Sequence, residues 1–173
     1  MDLMEVVGLM LGARPRAVTA DYTDDDVTGT SCTGRIVVID DGKTWLDDRD
    51  DGIRYMSGPR GYESKVKNGP TERSDRPGGW TGGRHPGAML LPRRAYLWST
   101  SHQWRLADPV QVSGTTAEVP LVSQQPTGYT GRIRVDLRHG YILDFETIHG
   151  QTTLTGIRDG ISGPDLAVLQ KVR

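Results

Sequence analysis

The chain has 173 residues, the length of one domain that buries its own core without a disulfide or a metal ion. Its 21 basic and 22 acidic side chains nearly cancel, and nucleic-acid binding usually needs a basic surface, so no nucleic-acid partner is expected. The single cysteine, Cys32, excludes an intramolecular disulfide and a thiolate zinc cluster.

The N-terminal segment is predicted to be a short amphipathic helix. Apolar residues recur at every third or fourth position from Leu3 to Met10, and Asp2 is a candidate N-cap. The apolar run 3–12 contains Glu5, follows no basic region and is too short to cross a bilayer. No signal peptide and no membrane span are therefore predicted, and a cytoplasmic location is expected.

Short antiparallel hairpins are predicted for the residues that follow. Apolar and polar residues alternate from Val18 to Tyr22, with the period of a half-buried strand. Two Asp-Gly pairs, at 41–42 and 51–52, are strong signals for tight hairpin turns. Each pair therefore predicts that the strand before it pairs with the strand after it.

Residues 67–87 differ in composition from the rest of the chain. Glycine or proline occupies nine of these 21 positions, and such a segment forms neither a stable helix nor a central strand. The segment is predicted to be a mobile lid or loop insertion that Trp80 anchors when it closes over a cavity. A short covering helix is predicted to follow, over residues 92–100.

The second half of the chain is predicted to be a series of antiparallel strands. In 131–137 apolar residues alternate with Arg132 and Arg134, and a turn after this strand places both arginines opposite Asp144 and Glu146. Such pairs form a salt-bridge ladder on a solvated face, with each pair contributing roughly 0.2–1 kcal/mol. An acid-base or anion-binding set would require this face to be the inner one, and the apolar alternation favours the ladder. At least seven strands are predicted in all, about nine or ten by the pattern.

A series of turn and strand motifs in this half resembles a known superfamily. The motifs are Val-Ser-Gly at 112–114, Ala-Glu-Val-Pro-Leu at 117–121, Gly-Arg-Ile-Arg-Val-Asp-Leu-Arg-His-Gly at 131–140, Tyr-Ile-Leu-Asp-Phe-Glu at 141–146 and His-Gly at 149–150. The series resembles the lipoprotein-carrier (LolA/LolB-like) half-barrels, in particular their actinobacterial members. The first half fits the same plan more loosely.

The resemblance implies an α+β fold. A strongly curved antiparallel β-sheet would form an incomplete (half) barrel with an N-terminal helix and a short covering helix. Residues 1–173 would be a single LolA-like domain, with 67–87 as its lid or insertion. Members of the superfamily hold acyl chains on the concave apolar side, so the implied partner is a hydrophobic or amphipathic small molecule. The lack of a recognisable signal peptide or lipid-anchor cysteine departs from a periplasmic shuttle.

The sequence contains no recognisable catalytic or metal-binding motif. The four histidines lie at predicted turns or in the 67–87 segment, and no two of them have the spacing of metal ligands on a strand or helix. Cys32 has no neighbour in the sequence that would activate it as a nucleophile. No metal and no cofactor are therefore expected, and no catalytic residue is assigned.

Aromatic residues are the candidate ligand-binding residues, because small-molecule sites favour rigid amphipathic side chains. Several of them cluster around the 67–87 segment, where cationic residues such as Arg73 and Arg84 would suit an acidic ligand. Core packing or anchoring of the lid is the alternative role for the same aromatic residues. The candidates are Trp45, Tyr55, Trp80, Tyr96, Trp98, Trp104, Tyr141 and Phe145.

Three functions remain open at this point. The first is non-covalent binding of a hydrophobic or amphipathic small molecule in a half-barrel cavity. The second is a cofactor-independent biosynthetic enzyme of the same fold, of the cyclase or rearrangement type, which steers a reactive intermediate by positioning it. The third is a protein-interaction module that uses the open edge of the sheet, and a second copy of the chain is a further candidate partner. A fold does not choose among them, because function resides in the site.

Overall fold

A computed structural model describes residues 1–79, 84–95, 97–98, 103–124 and 127–173 of the chain. The α-helices in these ranges are α1 (Leu3–Gly12), α2 (Pro86–Leu90) and α3 (Gly163–Leu169). The strands are β1 (Ala17–Asp26), β2 (Ser31–Ile39), β3 (Thr44–Arg49), β4 (Arg54–Gly58), β5 (Gly61–Lys65), β6 (Thr71–Ser74), β7 (Trp104–Leu106), β8 (Gln111–Ser113), β9 (Thr116–Gln124), β10 (Thr127–Asp136), β11 (Ile142–Thr147) and β12 (Gly150–Asp159).

One open antiparallel sheet contains the twelve described strands. Its order is β6-β5-β4-β3-β2-β1-β12-β11-β10-β9-β7, and β8 also pairs with β9. Because β1 pairs with β12, hairpins from both halves of the chain share one sheet. In the described residues β6 and β7 lie at opposite ends of this order, so the curved sheet is an incomplete barrel. The predicted half-barrel of at least seven strands is confirmed.

Each face of the sheet has its own apolar core, because successive side chains of a strand point to opposite faces. On the inner face, α1 and α2 pack against strands from both halves of the chain. On the outer face, α3 packs against a smaller cluster that includes Val37 and Leu46. The largest fully buried side chains of the inner core include Met10, Met89, Leu90, Leu121, Ile133 and Phe145.

The predicted N-terminal helix is confirmed as α1. The Asp2 carboxylate accepts a hydrogen bond from the Glu5 backbone N–H (2.9 Å), and the Glu5 carboxylate accepts one from the Asp2 backbone N–H (2.7 Å). This reciprocal capping box satisfies two of the donors that a helix start leaves unpaired. Val6 and Met10 are fully buried on the sheet side of the helix.

Gly140, in the turn before β11, brings the sheet into contact with α1. Its φ is +73°, and a Cβ added there would overlap the carbonyl oxygen of Leu9. Gly160 also has a positive φ, +97°, but a Cβ there would meet nothing within 4 Å. Substitutions at the two positions therefore distinguish the cost of backbone strain from the cost of overlap between the sheet and α1.

We expect Gly140→Ala to destabilise the protein more than Gly160→Ala. Both substitutions force alanine into a left-handed conformation, which costs about 1–2 kcal/mol, and overlap with α1 adds about 1–3 kcal/mol at position 140. Urea denaturation of both variants measures the difference in free energy of unfolding. Equal losses for the two variants would show that α1 moves away without cost.

The covering helix begins earlier than predicted. Instead of a helix over 92–100, α2 ends at Leu90 and a 3₁₀ turn follows over Pro92–Arg94. Proline favours the first turn of a helix and restrains the residue before it. Pro86 therefore begins α2, whereas Pro92 forces Leu91 out of helical geometry (φ −133°, ψ 68°).

The 67–87 segment is not a uniform loop. Thr71–Ser74 forms the edge strand β6, which pairs with β5, and Pro86 and Gly87 are buried at the start of α2. Trp80 lies outside the described residues, so its role as the anchor of a lid stays a prediction.

The cross-strand pairs predicted between β10 and β11 are confirmed. Arg132 lies opposite Glu146, with Nε to Oε2 at 2.7 Å, and Arg134 lies opposite Asp144 and pairs with it. Ile133 alternates with these arginines and is fully buried. The ladder is therefore on the outer face, and the alternative of an inner acid-base or anion-binding set is wrong.

Candidate functional site

The predicted aromatic residues are distributed over two regions. Trp104, Tyr141 and Phe145 belong to the inner apolar core, where Phe145 is 1% exposed. Trp98 packs against this core and donates from Nε1 to the Pro92 carbonyl oxygen at 2.7 Å. Trp45 and Tyr55 lie elsewhere, on neighbouring strands β3 and β4. Two further candidates, Trp80 and Tyr96, lie outside the described residues.

Trp45, Tyr55 and Tyr62 form a group of rings on the inner face of β3, β4 and β5, called here the aromatic cluster. The rings of Tyr55 and Tyr62 stack at 6.5 Å and 19°, and Trp45 lies 6.5 Å from Tyr62. Trp45 is 4% exposed, yet it is a member of neither apolar core. Its described ring neighbours, Tyr62 and His85, combine aromatic and polar character, as do the walls of many small-molecule sites.

Asp47 is a buried carboxyl beside the aromatic cluster. It follows Trp45 by two residues on β3 and lies opposite Tyr55 in the β3–β4 ladder. Tyr22 donates a hydrogen bond from Oη to Asp47 Oδ1 at 2.6 Å. Burial raises the pKa of the Asp47 carboxyl to about 6, against the lowering effect of the bond from Tyr22. Burial likewise raises the pKa of the Tyr22 hydroxyl, so it stays a proton donor at neutral pH.

Gly34 explains how Tyr22 on β1 reaches Asp47 on β3. Tyr22 lies opposite Gly34 in the β1–β2 ladder, and a Cβ at Gly34 would lie 2.7 Å from Tyr22 Oη. The tyrosine ring therefore crosses β2 over the glycine, where any other residue would block it.

His85 connects this site to the covering helix. It is the N-cap of α2, and its Nδ1 accepts a hydrogen bond from the Gly87 backbone N–H at 3.1 Å. Its Nε2 lies 3.6 Å from Asp47 Oδ2, and its ring lies 5.6 Å from that of Trp45 in an edge-on arrangement. Burial lowers the pKa of His85 to about 4, so the imidazole is neutral at neutral pH.

The described part of the predicted lid lies over the aromatic cluster. The Gly78 backbone N–H donates to Ser57 Oγ at 2.8 Å, and the Ser57 hydroxyl donates to the Gly78 carbonyl oxygen at 3.1 Å. A Cβ at Gly78 would overlap the ring of Tyr62. The backbone of this segment therefore covers the inner face of β4 and β5.

Two of the nearby cations have acidic protein partners. Arg73 pairs with Glu63 at 2.8 Å, and Arg84 lies 3.5 Å from Asp24. Among the described residues, the Asp47 carboxyl is instead buried beside the aromatic cluster. In the described ranges no group of three or more His, Cys, Asp or Glu side chains is arranged to hold a metal ion.

A polar cavity of about 510 Å³ lies mainly on the outer face and shares Tyr22 with the candidate site. It lies across β12, β1, β2 and β3, and none of the predicted aromatic residues lines it. The lining residues are Asp21, Tyr22, Thr23, Thr33, Gly34, Arg35, Asp48, Arg49, Asp50 and Thr155.

Trp45 and Tyr55 were predicted from the sequence as site residues, whereas Tyr22, Asp47, Tyr62 and His85 were not predicted to belong to the same site. A three-residue loop, 50–52, sets the register that places Asp47 opposite Tyr55, whereas a two-residue Asp-Gly turn at 51–52 would have placed Asp47 opposite Met56. No local pattern indicates the contacts of Asp47 with Tyr22 and His85, because they join distant parts of the chain.

Helices of membrane-spanning length and hydrophobicity do not occur in the described part of the chain. Comparison with known proteins finds no matching family model and no matching curated protein.

Solved structures do match. An uncharacterized conserved protein from Thermus thermophilus is 9% identical, with a TM-score of 0.60 over 96% of this chain and 91% of that protein. MucB is 18% identical, with a TM-score of 0.47, and this chain spans 61% of its length. The MucA/MucB complex of Pseudomonas aeruginosa gives 14% identity and the same TM-score over 58% of the matched chain. The likeness to the Thermus protein shows a shared fold, while membership of an actinobacterial type stays a prediction.

Proposed function

We propose that the protein binds a hydrophobic or amphipathic small molecule at the aromatic cluster on the inner face of β3, β4 and β5. The observation that carries the proposal is the position of Trp45, a buried tryptophan outside both apolar cores and next to the buried Asp47 and the partly buried His85. Ligand sites combine aromatic walls with a few polar groups in this way.

The centre of the half-barrel is a less suitable place for a ligand. Side chains of α1, α2 and the sheet fill it, and Met10, Leu90 and Ile133 are fully buried there. A ligand would have to displace this core, at a cost of several kcal/mol. At the aromatic cluster Tyr55 and Tyr62 are only half-buried, and the described cover is the backbone near Gly78.

We expect the non-ionic amphiphile octyl glucoside, below its micelle concentration, to bind saturably at this cluster. Amide resonances of β3, β4 and β5 should shift in an NMR titration, while those of β9 to β11 stay in place. Tyr55→Ala removes one wall of the site and should weaken binding several-fold.

Tyr129→Ala is the matched control, because Tyr129 is a 43% exposed tyrosine on β10, far along the sheet order. It should leave octyl glucoside binding unchanged. A titration without saturation, or shifts confined to other strands, would contradict the proposal.

Protein interaction is a second candidate, favoured by the edge strand β6. All four of its residues, Thr71–Ser74, are exposed, and a free strand edge can accept a further strand. Crosslinking from Arg73→Cys to a co-purified polypeptide would support protein interaction as the function, and a protein that remains monomeric and partner-free would not.

The strands of both halves share one sheet, which supports the proposal that residues 1–173 form a single domain.

A further inference from the structure

The Asp47 carboxyl is buried without a permanent cationic partner in the described residues. Its side chain is 7% exposed, and the hydrogen bond it accepts comes from the neutral Tyr22 hydroxyl. Arg49 follows on the same face of β3 but pairs with Asp51 at 2.6 Å. Among the described residues, His85 is the remaining basic group within 4 Å of the Asp47 carboxylate. Its Nδ1 accepts the hydrogen bond from the Gly87 backbone N–H, so the imidazole can carry a proton only on Nε2 while that hydrogen bond is formed.

Aromatic residues lie near this carboxyl on β1, β3 and β4. Tyr55 lies opposite Asp47 in the ladder, Trp45 precedes it by two residues on the same face, and Tyr22 reaches it over β2. The faces of such rings attract cations, most strongly for tryptophan. A carboxylate next to aromatic faces is the chemistry that recognises an organic ammonium group.

We propose that the polar end of the bound small molecule is an organic cation, an amine or a quaternary ammonium group, which Asp47 binds together with the rings of Trp45 and Tyr55. The inference rests on the proposed small-molecule function and names the class of its ligand. This ligand has the opposite charge to the acidic ligand that was predicted from the cationic residues of the sequence. The prediction changes because Arg73 and Arg84 already have carboxylate partners.

The buried Asp47 carboxyl favours a cation over an anion or a neutral group. An ionised carboxylate that is buried without a countercharge is costly, and a cation at Oδ2 would compensate that cost. An anionic group at the same place would add like-charge repulsion at low effective dielectric. A neutral group would gain hydrogen bonding only.

Three amphiphiles with the same octyl chain test the proposal: octyltrimethylammonium, octyl glucoside and octyl sulfate, each below its micelle concentration. Calorimetric titration at pH 7.5 should give octyltrimethylammonium about tenfold tighter binding than octyl glucoside, with octyl sulfate the weakest. Equal or tighter binding of octyl sulfate would overturn the cation proposal and leave the proposed function standing. Binding of none of the three would contradict the proposed function itself.

Asp47→Asn and Asp48→Asn are the matched variants. Both remove one negative charge from β3, but Asp48 lies on the outer face, where it pairs with Arg35 and Arg54. Asp47→Asn should abolish the preference for octyltrimethylammonium over octyl glucoside, and Asp48→Asn should retain it. If Asp47→Asn retains the preference, or if Asp48→Asn loses it equally, overall charge rather than Asp47 attracts the cation and the proposal is wrong.

Discussion

Replacing Phe145 with alanine should lower the free energy of unfolding by about 3–5 kcal/mol. Phe145 lies on β11, is 1% exposed and is among the largest fully buried side chains of the inner core. Its removal loses the transfer free energy of the ring and leaves a cavity that close-packed neighbours fill only in part. Equilibrium urea denaturation measures the loss.

Ile148→Ala is the control for this substitution. Ile148 follows β11 directly and is 36% exposed, so we expect its removal to cost much less, about 1 kcal/mol or below. The same pair tests whether Phe145 lines a ligand cavity. If Phe145→Ala leaves stability unchanged and weakens octyl glucoside binding, the ligand occupies the centre of the half-barrel and the assignment of Phe145 to the core is wrong.

Asp47 and His85 should make opposite contributions to the pH dependence of stability. Burial raises the pKa of Asp47 from 3.8 to about 6, so its contribution is fully present below pH 4 and is lost as the pH rises through 6. Burial lowers the pKa of His85 from 6.5 to about 4, so its contribution is fully present above pH 6.5 and is lost as the pH falls through 4. In the wild-type protein the two effects largely cancel between pH 4 and 7.

Single substitutions should therefore expose the two effects separately. Relative to the wild type, Asp47→Asn should gain stability as the pH rises from 4 to 7, and His85→Gln should lose it. Each change should be on the order of 2–3 kcal/mol, since one unit of pKa shift corresponds to about 1.4 kcal/mol. The lost N-cap of α2 adds an offset to His85→Gln that does not depend on pH.

Urea denaturation at pH 4, 5, 6 and 7 measures both slopes. If Asp47→Asn shows no gain with rising pH, or His85→Gln shows no loss, burial does not shift the pKa of that group in the expected direction. At pH 7 Asp47→Asn should be more stable than the wild type, as expected where a binding group is kept at a cost in stability.

Local patterns in the sequence determined most of the strands, the hairpins that follow the Asp-Gly pairs and the N-terminal helix of this protein, but not β6, and twelve strands are described where about nine or ten were predicted. The alternation of Ile133 and Val135 with Arg132 and Arg134 identified both faces of β10, because strand side chains point alternately to opposite faces. The Asp-Gly pairs predicted their hairpins because the conformations of two or three residues define a tight turn. The placement of the covering helix failed, since which of Pro86 and Pro92 begins a helix depends on what buries it.

The candidate site was decided by the tertiary structure. Tyr22, Asp47 and His85 are separated by 25 and 38 positions in the chain, and they meet because β1, β2 and β3 lie side by side and Gly34 leaves room for a ring to cross. No periodic pattern in the sequence indicates that these three residues are in contact. Whether an aromatic residue fills the core, as Phe145 does, or lines a polar site, as Trp45 does, likewise depends on the neighbours that packing brings to it from distant parts of the chain.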